Sequence, residues 1–199
     1  MRRLNPSLEF VREVLAATSI EEVWQLHTAK MTEYGFDRMI YVNSRFCTGE
    51  NYGDLADALV LTNYDKDLVN LMFRDAQSLN ALIDIWAARN IGACSWQWTE
   101  DERAAGRMPA KAIEVLDLYR KYGIGAGYTI SFAQVSELSK SAIGLSACMG
   151  FSQPAVDAMW ADQGAEIELL NNVVDQKLQS LPYEGRHKPL TARQREVLR

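Results

Sequence analysis

The chain is 199 residues long, 48% apolar and carries a formal charge of −5, enough for one substantial core and the composition of an ordinary soluble globular protein. The negative balance would repel phosphate backbones, which argues against a nucleic-acid grip by these residues as a whole. No run of eighteen or more apolar residues occurs, and Met1-Arg2-Arg3-Leu4-Asn5-Pro6 leads into a mixed-polarity helix instead of a signal region, so a cytoplasmic protein is expected.

In chain order, helix signals come first. Asn5-Pro6 reads as a cap and first-turn pair, and Ser19-Ile20-Glu21-Glu22 as a capping box. Two N-terminal helices follow, the second carrying Ile20, Val23, Trp24, His27, Met31 and Tyr34 at helical spacing until Gly35. Residues 38–42 and 58–62 predict two strands, joined through the polar, glycine-containing stretch 48–54. Residues 65–76 and 78–88 predict helices, with Leu68, Leu71, Met72, Leu79, Leu82, Ile83 and Trp86 on apolar stripes. Residues 96–108 turn polar and are expected to loop. Pro109 opens another helix, with Ala112, Val115, Leu116, Tyr119 and Tyr122 on one face, and the cluster Gly123-Ile124-Gly125-Ala126-Gly127 ends it. Residues 128–133 and 141–149 alternate as closing strands, and 153–181 form a long amphipathic helix stopped by Pro182 and Gly185. The order predicts an α+β fold, an α/β/α sandwich around a central, mostly antiparallel five-stranded sheet. The domain spans 1–181 and a linker 182–189. From Arg186 the tail reverses sign, with Lys188, Arg193, Arg195 and Arg199 against Glu196.

Enzyme signatures are sparse. There is no P-loop, G-x-S-x-G elbow or H-E-x-x-H motif, and the histidines are His27 and His187. His27 lies on an apolar helix face and reads as a hydrogen-bonded core residue in preference to a catalyst; His187 falls in the linker. Gly123, Gly125 and Gly127 follow a helix and precede a strand, the reverse of dinucleotide-binding order, so they read as a helix stop. Cys47, Cys94 and Cys148, odd in number and widely spaced, read as buried free thiols. No enzyme activity, cofactor or metal is expected. The face Ala142, Gly144, Ser146 and Cys148 is made of small side chains and leaves room above the sheet, to be filled by packed helix side chains or by a small ligand. Tyr64, Trp86, Trp96 and Trp98 are candidates to line such a cavity, or to be plain core.

Several short motifs in order now carry a resemblance: Asn63-Tyr64 after a strand, Cys94-Ser95-Trp96, the run from Tyr122 through the glycine cluster to Tyr128-Thr129, and Ile143-Gly144-Leu145-Ser146. With them the chain resembles the autoinducer-binding domain of LuxR-type quorum-sensing transcription regulators over nearly its whole length. The resemblance implies an acyl-homoserine lactone, or a related autoinducer, buried between the sheet and a helical layer. It also implies a homodimer, formed through 153–181 with Trp160 or Met159 at its edge, and promoter DNA as partner. Residues 190–199 resemble the opening of the family's helix-turn-helix domain, so DNA contact is expected only through the rest of that domain.

Carried over by position, Tyr64 matches the tyrosine that bonds the acyl carbonyl and Trp96 the tryptophan at the lactone carbonyl. Thr129 and Ser146 match small hydroxyl positions, and Ile124 completes the apolar wall. The pattern N-Y-x-x-x-W-x-x-x-Y places Leu68 and Met72 where the family has rings. An ungapped count places Ala81 where the family has the Asp of a D-P pair, with Asn80 beside it. An Asn could still offer a carbonyl acceptor, whereas Ala could not. The expectation is therefore that Ala81→Asp or Asn80→Asp strengthens lactone binding. The alternative is a ligand-independent or non-lactone-binding solo regulator or interaction module with a degenerate pocket, and a third reading is a small-molecule enzyme on a similar sandwich.

Overall fold

The computed structural model describes residues 5–44, 58–74, 82–134 and 139–182. The predicted connection 48–54, Cys47, Asn80, Ala81, His187 and the tail 190–199 lie outside the described residues.

Two helices open the chain, α1 (Pro6–Ala16) and α2 (Ile20–Glu33). Their start signals act as read: the Asn5 side chain accepts from Ser7 N and Ser19 Oγ from Glu22 N, while the Glu22 carboxylate accepts from Thr18 N. Strands β1 (Phe36–Ser44) and β2 (Leu59–Thr62) follow, then α3 (Lys66–Arg74), α4 (Leu82–Arg89), β3 (Gly92–Ser95), α5 (Gln97–Ala104) and α6 (Ala110–Lys121). The chain returns through β4 (Gly127–Ser131) and β5 (Lys140–Ala147) and finishes on α7 (Gln153–Ser180). The expected loop at 96–108 is thus corrected: α5 occupies most of it. Its polarity belongs to a helix with one outward face, tied down by Thr99 Oγ1 donating to Trp96 O and by the ion pair of Arg103 with Asp117. β3, only four residues long, had no strand signal of its own in the sequence.

The strands order β2-β1-β5-β4-β3, every neighbouring pair antiparallel. Strand alternation divides the sheet into two faces. Met39 and Tyr41 of β1, Tyr128 and Ile130 of β4, and Ile143 and Leu145 of β5 pack with α1, α2 and α7 in the main core. Ile40, Val42, Thr129, Ala142 and Gly144 point the other way, toward α3 to α6. A bulge between Phe36 and Arg38 shifts the parity, so Phe36 joins the α7 face while Arg38 points to the opposite one. There its guanidinium donates to the carbonyls of Tyr122, Gly123 and Ala147 at 2.9, 3.0 and 3.1 Å. That clamp fixes the turn after α6, where Gly123 takes φ +73°.

Gly164 lets the Trp160 ring lie flat on α7, since a Cβ there would stand 2.4 Å from Trp160 Nε1. The indole stacks on Tyr128 at 3.9 Å and meets Phe36 edge-on. Trp160 and Met159 are partly buried and packed against the core. The exposed apolar side chains on this side are Leu169 of α7 and Leu8 and Leu15 of α1.

His27 is the core histidine the sequence suggested, fully buried, with Nε2 2.9 Å from Asn171 Oδ1. Burial pushes its pKa down to about 4, against the smaller opposing effect of the Asn171 bond. A folded-state pKa below the unfolded value means the neutral ring contributes stability that is complete above pH 6.5 and is lost as pH falls toward 4. The loss should approach about 3 kcal/mol. Between pH 7 and 4 the urea midpoint of His27→Gln should rise relative to the parent's; a difference that stays constant over that range would contradict this account. Cys94 is a buried thiol, whereas Cys148 is only half-buried; neither forms a disulfide.

Candidate ligand cavity

Between the second face of the sheet and α3 to α6 lies a cavity with about 100 Å³ of free space. It is of the same order as the engineered apolar cavity of about 150 Å³ that takes up benzene. Its floor is Ile40, Val42, Thr129, Ala142 and Gly144. The small side chains of β5 leave the room that the sequence pattern suggested, because Gly144 has no Cβ to fill it. The roof comes from α6 (Ala112, Val115, Leu116 and Tyr119), α4 (Ile83, Asp84 and Ala87), Met72, Met108 and Ile124. Tyr64 and Trp96 also line it, both close to Gly144. A longer ligand would have to displace flexible side chains such as Met72 and Met108.

Of the residues singled out in the sequence, Tyr64, Met72, Trp96, Ile124 and Thr129 line this space together. Leu68 packs behind them against the cluster of Tyr64, Met72 and Ile124. Ser146 sits under Tyr64, their hydroxyls 2.8 Å apart, and Trp96 Nε1 donates to Thr129 Oγ1 at 2.9 Å. The polar handles of Tyr64 and Trp96, each just beyond a strand end, are therefore satisfied by hydroxyls of β5 and β4. Burial pushes the Tyr64 pKa up to about 12, with the Ser146 bond opposing it, so the phenol stays protonated. Trp86 packs beside Ala87, Ala142 and Val42 instead of lining the cavity, and Trp98 is not among its lining residues.

Sequence reasoning missed Asp84. The acid sits in the first turn of α4, three residues beyond Ala81, with Leu82, Ile83, Ile85 and Trp86 around it in sequence. A helix N-terminus favours a carboxylate, but desolvation outweighs it and pushes the Asp84 pKa up to about 7. Among the described residues no cation faces it. Its charge is felt by Tyr119, whose pKa burial raises first and Asp84 second, and by Tyr64. The available signal was an isolated acid inside an apolar run. The α6 lining residues were read in the sequence as one apolar face, which cannot by itself distinguish core from cavity wall.

Residues 19–178 match the family model described as the autoinducer binding domain. The chain belongs to the autoinducer-binding domain family. A sequence comparison with curated proteins finds no match. In structure, this autoinducer-binding domain is similar to CepR2 from Burkholderia cenocepacia, described as an N-acylhomoserine lactone dependent LuxR family transcription factor. The two share 12% identity over 88% of this chain and 97% of that one, with a TM-score of 0.64. It is also similar to Escherichia coli SdiA, at 14% identity over 96% and 75% of the two chains with a TM-score of 0.65. SdiA in complex with octanoyl-rac-glycerol gives 14% identity, 100% and 77% coverage and a TM-score of 0.66. At these identities the likeness is one of fold, and it bears out the α+β sandwich read from the sequence. No helix among the described residues is long and apolar enough to cross a membrane.

Proposed function

We propose that this autoinducer-binding domain is the sensing part of a cytoplasmic quorum-sensing transcription factor. It would hold an acyl-homoserine lactone or a related acyl signal in the cavity between the sheet and α3 to α6. The observation that carries the reading is the cavity itself, lined mostly by apolar side chains, with Tyr64, Asp84, Trp96, Thr99, Glu100, Tyr119 and Thr129 as its polar groups. An apolar chamber with a few placed polar groups suits a ligand with an apolar tail and a polar head. The open space also favours a receptor over a closed interaction module. Residues 190–199 would begin the helix-turn-helix domain that reaches promoter DNA. Leu8 and Leu15, one heptad apart on α1, and Leu169 on α7, all more than half exposed, offer apolar surface for a homodimer.

Ligand-linked stability supplies the mechanism, since a ligand that binds only the folded state adds RT ln(1 + [L]/Kd). A thermal-shift screen should include acyl-homoserine lactones of several chain lengths, an octanoyl glycerol, pyrones and aryl amides. At a hundred times Kd the expected gain is about 2.7 kcal/mol, a shift of several degrees. Silence from every acyl compound in a well-folded sample would sink the receptor reading and favour the interaction module.

A further inference from the structure

Two glycines lie beside the Trp96 indole, one on each of two neighbouring strands, and only one of them is needed there. A Cβ at Gly127 of β4 would stand 2.8 Å from Trp96 Cζ3 and 2.1 Å from the Leu145 carbonyl oxygen, so the fold itself demands glycine. A Cβ at Gly144 of β5 would meet Ile40 Cγ2 at 3.5 Å, Trp96 Cζ2 at 3.8 Å and Tyr64 Oη at 4.0 Å, all ordinary packing distances. The backbone makes no demand either. Gly144 has no positive φ, and it sits inside β5, paired with Ile40 on one side and Thr129 on the other. A glycine in a strand interior weakens the strand. Alanine would therefore fit and hold the strand better, yet this position is bare and lines the cavity.

We infer that Gly144 decides which ligands fit: its missing methyl leaves a notch one carbon wide between Ile40, Tyr64 and Trp96, filled in the bound state by a methyl- or methylene-sized group of the ligand. The inference rests on the cavity being the ligand site, and it names the residue that sets fit within it. The three walls come from three separate places in the chain, Ile40 from β1, Tyr64 from the turn before α3 and Trp96 from the start of α5. Tyr64 and Trp96 are held by their bonds to Ser146 and Thr129, so the notch keeps its shape without a ligand, which lowers the cost of ordering on binding. A ligand carbon and an alanine methyl then compete for the same volume, because close-packed surroundings take an extra methyl only with strain. Gly144→Ala should accordingly act in two directions at once. It should stabilise the empty domain, since the unfolded chain loses freedom and the methyl fills open space, and it should weaken ligand binding. A glycine required by packing would lower stability on substitution, and one without a part in fit would leave affinity unchanged.

The test follows the parent, Gly144→Ala and Gly144→Val, each with and without ligand. In thermal unfolding without ligand, Gly144→Ala should melt about 2–4 °C above the parent. A lower midpoint would overturn the inference, because glycine would then be a need of the fold. Octanoyl-rac-glycerol and N-octanoyl homoserine lactone are then titrated into each protein by calorimetry. Whichever binds the parent should bind Gly144→Ala at least about tenfold more weakly, and Gly144→Val, which fills the notch further, more weakly again. Undiminished affinity in Gly144→Ala would also overturn the inference and would leave the receptor reading standing. If neither compound, nor any other in the thermal-shift screen, binds the parent, the receptor reading and this inference fall together.

Discussion

Asp84→Asn is expected to stabilise the folded domain at pH 8 by on the order of 2–4 kcal/mol and to leave it unchanged at pH 3. Folding raises this carboxyl from 3.8 to about 7, so the unfolded chain ionises first. Below pH 3.8 both states hold the proton and nothing is lost. Between 3.8 and about 7 the unfolded state is progressively favoured, and the full penalty is present above the folded pKa. A carboxyl moved from 3.8 to about 7 sets the upper end at about 4 kcal/mol; the side chain is only part-buried, and its contact with solvent lowers the figure. Asn removes the charge, keeps the shape and resembles the neutral acid. The measurement is a set of urea midpoints for parent and variant from pH 3 to 8. The difference between the two proteins matters, because His27 gains stability over much of the range in which Asp84 loses it and the parent's own profile nearly cancels. Equal midpoints at every pH would mean that the carboxyl is solvated and would remove it from the cavity account.

Gly127→Ala should cost at least about 3 kcal/mol, the upper range for forcing an extra methyl into packed structure. A Cβ at this position would stand 2.1 Å from the carbonyl oxygen of Leu145 and 2.8 Å from Trp96 Cζ3. The first neighbour is backbone of the adjacent strand, which cannot move without opening the β4–β5 ladder. Gly127 also joins several elements: its N–H donates to Gln153 Oε1, and its carbonyl accepts from Trp96 N and Gln153 Nε2. A displaced Gly127 would therefore pull on α7 and on the Trp96 indole together, and the Trp96–Thr129 bond should loosen along with ligand binding. Gly125→Ala is the control, because a Cβ there meets nothing within 4 Å. Thermal unfolding should separate the two variants by roughly 6–12 °C; matched midpoints would show that the sheet accommodates the methyl.

Much of the architecture was legible because local rules carried it. Period-2 alternation marked β4 and β5, and a 3.6-residue stripe marked α7, whose length left little ambiguity. Helix caps at Asn5 and Ser19 worked within a few residues of themselves. The chain from 96 to 108 was misread because α5 owes its helix to tertiary anchors, including Asp117 on α6, and its polar surface mimics a loop. β3 offered four residues, too few for a periodic signal. Tyr64, Trp96 and Thr129 were singled out by family motif, and the structure places all three on the lining of one cavity. Trp86 and Trp98 illustrate the limit of composition, since aromatic rings suit a cavity wall and a core equally well.

The sequence alone determined which residues form helices and strands over most of the chain, that the fold is an α+β sandwich, and that the last strand carries a face of small side chains. Those properties depend on neighbours a few positions away. Only the tertiary structure decided that the small face bounds an open cavity, that Trp160 is spent on stacking with Tyr128, and that Asp84 reaches the chamber with no cation on its wall among the described residues, while Tyr64 and Trp96 are satisfied. Each of these depends on which distant residue arrives opposite, and burial, hydrogen-bond satisfaction and pKa are properties of that meeting.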